Sequence, residues 1–89
     1  MLIVLADARF DPAQTSEIIA IARPMIEASR AEPGCAGYDY AFDILEPGLM
    51  RVREWWRDEQ ALRDHFATPH MAAKDFFNTG QSSLQAGKV

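Results

Sequence analysis

Ala36-Gly37-Tyr38-Asp39-Tyr40-Ala41-Phe42-Asp43, and after it Met50-Arg51-Val52-Arg53-Glu54-Trp55-Trp56, are the stretches whose patterning decides the fold of this chain. In the first, Ala36, Tyr38, Tyr40 and Phe42 alternate with Gly37, Asp39, Ala41 and Asp43, and a period of two places one aromatic face on a strand. In the second, Met50, Val52, Glu54 and Trp56 share one face, while Arg51, Arg53 and Trp55 share the other. Pro47-Gly48 between them suits a type II turn, because Pro presets the first φ and Gly accepts the positive second one. The expected product is an antiparallel hairpin.

Upstream, residues 2–10 read as a strand: Leu2-Ile3-Val4-Leu5 is a buried-type run, and Asp7, Ala8, Arg9 and Phe10 then alternate. Asp11-Pro12 is a helix start, with Asp accepting from an orphan N–H, Pro at the first helical position and Gln14 completing a capping box. The helix is predicted over residues 12–31, with Ile18, Ile21, Ala22, Met25, Ile26 and Ser29 forming one stripe. Pro24 removes the N–H that would bond to Ala20, so a kink is expected there rather than two helices. Glu32-Pro33-Gly34 stops the helix, Gly34 being read as a positive-φ residue.

Downstream, Asp58 caps a short helix to about residue 66, with Ala61, Leu62, His65 and Phe66 inward. Thr68-Pro69 opens a further helix to about residue 77, and the tail 81–89 is polar apart from Leu84, Ala86 and Val89. The predicted order is β-α-β-β-α-α. This is a ferredoxin-like split βαβ of the α+β class, with the final strand short or missing.

Eighty-nine residues make one domain, 1–89, with a modest core of its own. Five Phe, two Tyr and two Trp are generous for that core, and a partner subunit is one place to bury the excess. A formal charge of −4 argues against nucleic acid, and the arginines at 51, 53 and 57 are interleaved with Glu54, Asp58 and Glu59. Cys35 stands alone, which excludes an intramolecular disulfide and a cysteine metal cluster. The apolar opening Met1–Ala6 meets Asp7 and Arg9, too short for a signal or a membrane span, so a cytoplasmic protein with no membrane partner is expected.

Glu32-Pro33-Gly34-Cys35 with Tyr38, then Glu54-x-Trp56, Ala61-Leu62-x-x-His65 and Thr68-Pro69-His70, resemble the antibiotic-biosynthesis-monooxygenase family in order and spacing over about residues 1 to 77. The resemblance implies a dimeric α/β barrel, two four-stranded sheets packed face to face, with a pocket in each subunit between sheet and helices. It implies chemistry from a set that includes cofactor-free monooxygenases of quinols and polyketide phenols, haem-degrading enzymes and isomerase-like proteins, and a fold does not choose among these. The haem-degrading pattern is missing: there is no Asn on the first strand and no Trp after Trp56. The tail 81–89 is also atypical, since the family usually carries a full last strand there.

A cofactor-free oxygenase needs a base for a phenolic proton, an apolar wall that excludes water, and aromatic surface for stacking. His65 and His70 are the candidate catalytic bases, each with a structural alternative: a core-edge ring on a backbone carbonyl for His65, an exposed first-turn residue for His70. Tyr38, Tyr40, Trp56 and Phe66 are the candidate substrate-binding residues, although buried aromatics serve equally as core. Two His without a nearby carboxylate or Cys make no ligand set, so neither metal nor cofactor is expected. Glu54 is expected to be paired with Arg51 or Arg53 of a neighbouring strand or subunit, in preference to acting as a catalytic base, and Cys35 to be a small buried hydrophobe. Two functions stay open. One is a monooxygenase for a quinol or polyphenol with O2 as co-substrate, acting as a homodimer. The other is a non-catalytic small-ligand or stress-related protein of the same fold, with isomerase-like activity a further option.

Overall fold

The computed structural model describes residues 1–71 and, as backbone alone, 82–88. Strand β1 (Leu2–Arg9), helix α1 (Thr15–Arg30), strands β2 (Cys35–Phe42) and β3 (Leu49–Trp56), helix α2 (Glu59–Phe66) and strand β4 (Ser82–Lys88) follow in that order. The strands form one antiparallel sheet in the order β2-β3-β1-β4. This is the ferredoxin-like arrangement anticipated from the patterning.

The hairpin pairs Tyr38 with Glu54, Tyr40 with Val52 and Phe42 with Met50. Gly48 takes φ 83, and a Cβ there would meet the Phe10 carbonyl oxygen at 2.5 Å, so the turn needs glycine on both counts. The register slips by one residue between Cys35 and Gly37, a bulge at Ala36 where the strand emerges from the preceding turn.

Period-two alternation sorts the sheet into two faces. Leu2, Val4, Ala8, Tyr38, Met50, Val52 and Trp56 are buried on the side that meets the helices. From α1, Ile18, Ala22, Met25 and Ser29 complete that interior, and from α2, Ala61 and His65. The opposite face carries Ile3, Leu5, Arg53 and Trp55, with the Arg53 guanidinium 5.3 Å from the Trp55 ring centroid.

Several expectations change. The final strand is neither short nor missing: β4 pairs with β1 from Leu2↔Lys88 to Ala8↔Ser82. An edge strand is held by backbone hydrogen bonds that any Pro-free segment can make, so a polar tail hid it from hydrophobic patterning. The helix start divides into one turn of 3-10 helix, Pro12–Gln14, followed by α1. Asp11 accepts from Ala13 N–H at 3.0 Å, whereas Gln14 makes no side-chain cap. Through Pro24, α1 is a single helix.

Phe66 is 47% exposed and turned outward rather than inward, because His65 takes the inner position of the last turn of α2. Beyond α2, 69–71 form one turn closed by Met71 N–H on the Thr68 carbonyl at 3.2 Å. The rest of the expected second helix lies outside the described residues. Among the described residues no helix is long and apolar enough to cross a membrane.

Candidate active site

Three segments meet at one end of the sheet, the first far in sequence from the other two. The first is the turn that ends α1. Glu32 N–H donates to the Ser29 carbonyl at 3.1 Å, and Cys35 N–H to the Glu32 carbonyl at 3.0 Å. Gly34 has no positive φ; its lack of a side chain is needed because a Cβ would overlap that of Ala61. The Gly34 carbonyl also accepts from Arg57 N–H at 2.8 Å, which ties this turn to the chain entering α2.

The second segment is α2, started by Asp58, whose carboxylate accepts from Ala61 N–H at 2.9 Å. That hydrogen bond, with Arg57 beside it, holds the Asp58 carboxyl below the usual range. Ala61 and His65 lie four residues apart and so share the buried side of the helix. The third segment is the turn after α2, where Thr68 Oγ1 donates to the His65 carbonyl at 2.7 Å and His70 follows two residues on.

These segments place one carboxylate oxygen between two imidazoles. Glu32 Oε2 is 2.6 Å from His65 Nδ1 and 2.9 Å from His70 Nε2. The His65 side chain has 0% of its surface exposed, Glu32 13% and His70 20%. His65 lies 4.5 Å from Trp56 by ring centroids and 5.4 Å, edge-on, from Tyr38. The Tyr38 and Tyr40 rings stack at 5.5 Å with hydroxyls 3.2 Å apart.

Burial foremost, then the charge of Glu54, pushes the Tyr38 phenol up to about 12, and burial drives Tyr40 up as well. At neutral pH both are neutral hydroxyls, suited to orienting an oxygen rather than to taking a proton. Trp56 Nε1 donates to Glu54 Oε1 at 2.9 Å. Within this subunit Arg51 and Arg53 are turned to the outer face, onto Asp43 at 2.6 Å and Asp39 at 3.4 Å. Cys35 is half-buried, and burial pushes its thiol up, away from nucleophilic character.

Of the candidates, His65, Trp56 and Tyr38 form one cluster, His70 joins it through Glu32, and Tyr40 joins through Tyr38. Phe66 keeps ring contact with His65 at 5.6 Å but from the exposed side. A groove of about 270 Å³ between α1 and the hairpin is lined by Ile18, Ala22, Ile26, Tyr40, Phe42 and Met50 among others. Tyr40 is the one candidate on its wall.

Glu32 went unrecognised in the sequence, where it counted only as part of a helix stop. It lies 33 and 38 residues from its two partners, so no local spacing could reveal it. One signal was present: an anion next to a helix C-terminus opposes the helix dipole and needs a partner from elsewhere. Glu32, His65 and His70 also supply the carboxylate that a His-based ligand set was thought to lack, with ligand atoms all within 4.8 Å. At 2.6 and 2.9 Å the carboxylate oxygen and the two ring nitrogens stand at hydrogen-bond separation.

Sheet order, helix placement and this buried carboxylate–imidazole cluster define a small ferredoxin-like α+β domain with a polar centre in an aromatic surround. A family model described as antibiotic biosynthesis monooxygenase matches residues 1–74, and the chain belongs to that family. It is 30% identical over 86 residues to YcnE of Bacillus subtilis, whose name assigns it provisionally to the monooxygenases; the match covers 97% of this chain and 88% of that protein. An uncharacterized Synechocystis protein, sll1783, is 36% identical over 69 residues, 78% of this chain and 47% of that relative, so the match spans about half of the longer protein. A crystal structure of an antibiotic biosynthesis monooxygenase superposes with a TM-score of 0.91 at 28% identity, covering 100% of this chain and 98% of that one. A Bacteroides thetaiotaomicron protein described in similar terms superposes at 0.87 with 26% identity, covering 99% and 88%.

Proposed function

We propose that this protein is a monooxygenase of a quinol or polyphenol-type small aromatic, working without flavin or metal. The observation that carries the reading is the Glu32-centred pair of imidazoles set against Trp56 and Tyr38, a proton-accepting group at the edge of an apolar aromatic cluster. In such a reaction the phenol gives its proton to the base and the anion then passes electrons to O2. One oxygen atom enters the substrate and the other leaves as water, so the substrate supplies every electron. His70, part-exposed, is the base that a substrate can reach, and the buried His65 holds the far side of Glu32. Tyr38 and Trp56, both buried, pack behind His65, Tyr40 lines the neighbouring groove, and Phe66 borders the approach from outside. Family membership and the relative named as a monooxygenase support this reading.

In the same reading the protein is a homodimer. The sheet face carrying Ile3, Leu5 and Trp55 is covered by none of the described elements, and Leu5 is exposed there. Two such faces packed together would bury the aromatic excess that one small core cannot house. The cytoplasm is the compartment that goes with it.

Oxygen uptake tests the proposal: purified protein is mixed with menadiol under air, with neither flavin nor metal added. Uptake above background that falls on the order of 10²-fold in His70→Ala supports it. Uptake no faster than the uncatalysed rate overturns it. The groove on Tyr40, which no imidazole lines and which joins an apolar floor to Arg23, Glu27 and Arg30, favours a second reading in which the protein binds a small ligand and does no chemistry. Saturable menadione binding without turnover is its outcome.

A further inference from the structure

We propose that Glu32 is a positioning residue that holds His65 in its Nδ1–H form and His70 in its Nε2–H form, leaving Nδ1 as the basic nitrogen of His70. The use of this arrangement in catalysis rests on the reading above; its measurement does not.

Counting protons leads to the assignment. The single hydroxyl proton of Thr68 goes to the His65 carbonyl at 2.7 Å, because a carbonyl can only accept. Toward His70 Nε2, 3.1 Å away, the Thr68 oxygen must therefore be the acceptor. The second neighbour of that nitrogen, Glu32 Oε2 at 2.9 Å, is also an acceptor when ionised. Both contacts require a hydrogen on His70 Nε2, shared between two oxygens. A neutral ring carries one N–H, so its lone pair is then on Nδ1.

The same carboxylate oxygen lies 2.6 Å from His65 Nδ1, the length of a charge-assisted hydrogen bond, and requires the hydrogen on that nitrogen. His65 enters twice: its ring holds Glu32 from the buried side, and its main-chain carbonyl fixes the hydroxyl that orients His70. The anchors are the stop of α1, the last turn of α2 and the turn beyond it, so the geometry of His70 depends on how these segments pack. A carboxylate on a histidine N–H fixes the ring orientation and stabilises the imidazolium formed when the opposite nitrogen takes a proton. The reachable imidazole is thereby a base at one defined atom.

Long-range ¹H–¹⁵N correlation spectra of the full chain, with ¹⁵N-histidine label and a pH series carried to where both rings are neutral, test this directly. The expected result is a single tautomer at each ring, Nδ1–H for His65 and Nε2–H for His70. Glu32→Gln keeps both, since an amide oxygen in the same place still accepts. Glu32→Ala loses the single tautomer at one ring or both, and Thr68→Val, which takes away the second acceptor, shifts His70 toward its Nδ1–H form. Finding a bare Nε2 on His70 or a bare Nδ1 on His65 in the folded wild-type protein overturns the proposal, as does Glu32→Ala with unchanged tautomers. If Glu32→Ala fails to fold, the wild-type and Thr68→Val spectra decide. With menadiol, Glu32→Ala is expected to lower kcat on the order of 10²-fold with KM little changed, and full kcat in that variant removes the positioning role. A wild-type protein without turnover sinks the oxygenase reading alone and leaves the tautomer result standing.

Discussion

Gly34 lies so close against Ala61 that a Cβ on the glycine would overlap the alanine's own. This contact joins the turn after α1 to the first turn of α2, and that turn and helix carry Glu32 and His65. The distance between carboxylate and imidazole therefore depends on a glycine chosen for its size and not for its backbone freedom.

Gly34→Ala is predicted to destabilise the protein by about 2 kcal/mol, the usual range for forcing a methyl into a packed site. Ala61→Gly should recover part of that loss in the double variant, although it weakens α2 by about 1 kcal/mol on its own. Urea unfolding of the two single variants and the double closes the cycle. Additive losses would show that the contact is not the cause.

Removing the His65 ring takes away a fully buried group packed against Trp56 and Tyr38 and strips one partner from Glu32. His65→Ala is predicted to cost about 3 kcal/mol from cavity and polar loss together. His70→Ala, at a part-exposed ring, should cost about 1 kcal/mol or less. Guanidinium unfolding of the pair checks the order, and equal losses would contradict the burial argument.

Alkaline pH should weaken the fold through its two buried phenols. Tyr38 is pushed up to about 12 by burial and then by Glu54, and Tyr40 is raised by burial. An unfolded tyrosine ionises near 10, so the folded value lies above the unfolded one. The stability is then fully present below about pH 10 and is lost as pH rises from about 10 toward about 12. Urea midpoints followed across that window should fall, and less steeply in Tyr38→Phe or Tyr40→Phe. An unchanged slope in both variants would place the titrating groups elsewhere.

Burial also raises the Cys35 thiol. At pH 7 its reaction with a disulfide reagent should be slower than that of an unhindered cysteine peptide, and should quicken only at more alkaline pH than the peptide's. A faster reaction at neutral pH would mark a thiolate that this environment does not favour.

Period-two alternation at Tyr38, Tyr40, Val52, Glu54 and Trp56 was enough to place the hairpin, since on a strand half-buried against helices the pattern and the faces are the same thing. The stripe placed α1 for the equivalent reason at helical spacing, with Ile18, Ala22, Met25 and Ser29 buried as expected, whereas Ile21, counted in the same stripe, is 41% exposed. Pattern failed at β4, whose pairing with β1 runs through the backbone, and at Phe66, where His65 takes the inward position of α2.

The chain's own order of residues thus determined the hairpin, the helix over it, the family and the two imidazoles worth watching, because each rests on local spacing or a short motif. Only the tertiary structure decided that Glu32 is the group between those imidazoles, that His65 is sealed in while His70 is reachable, and that Gly34 is glycine to make room for Ala61. Those facts depend on segments far apart in the chain being brought into contact, Glu32 lying 33 and 38 residues from its two imidazoles, and the free energy that does so comes from packing a whole sheet against its helices. No run of neighbours along the chain encodes such a meeting.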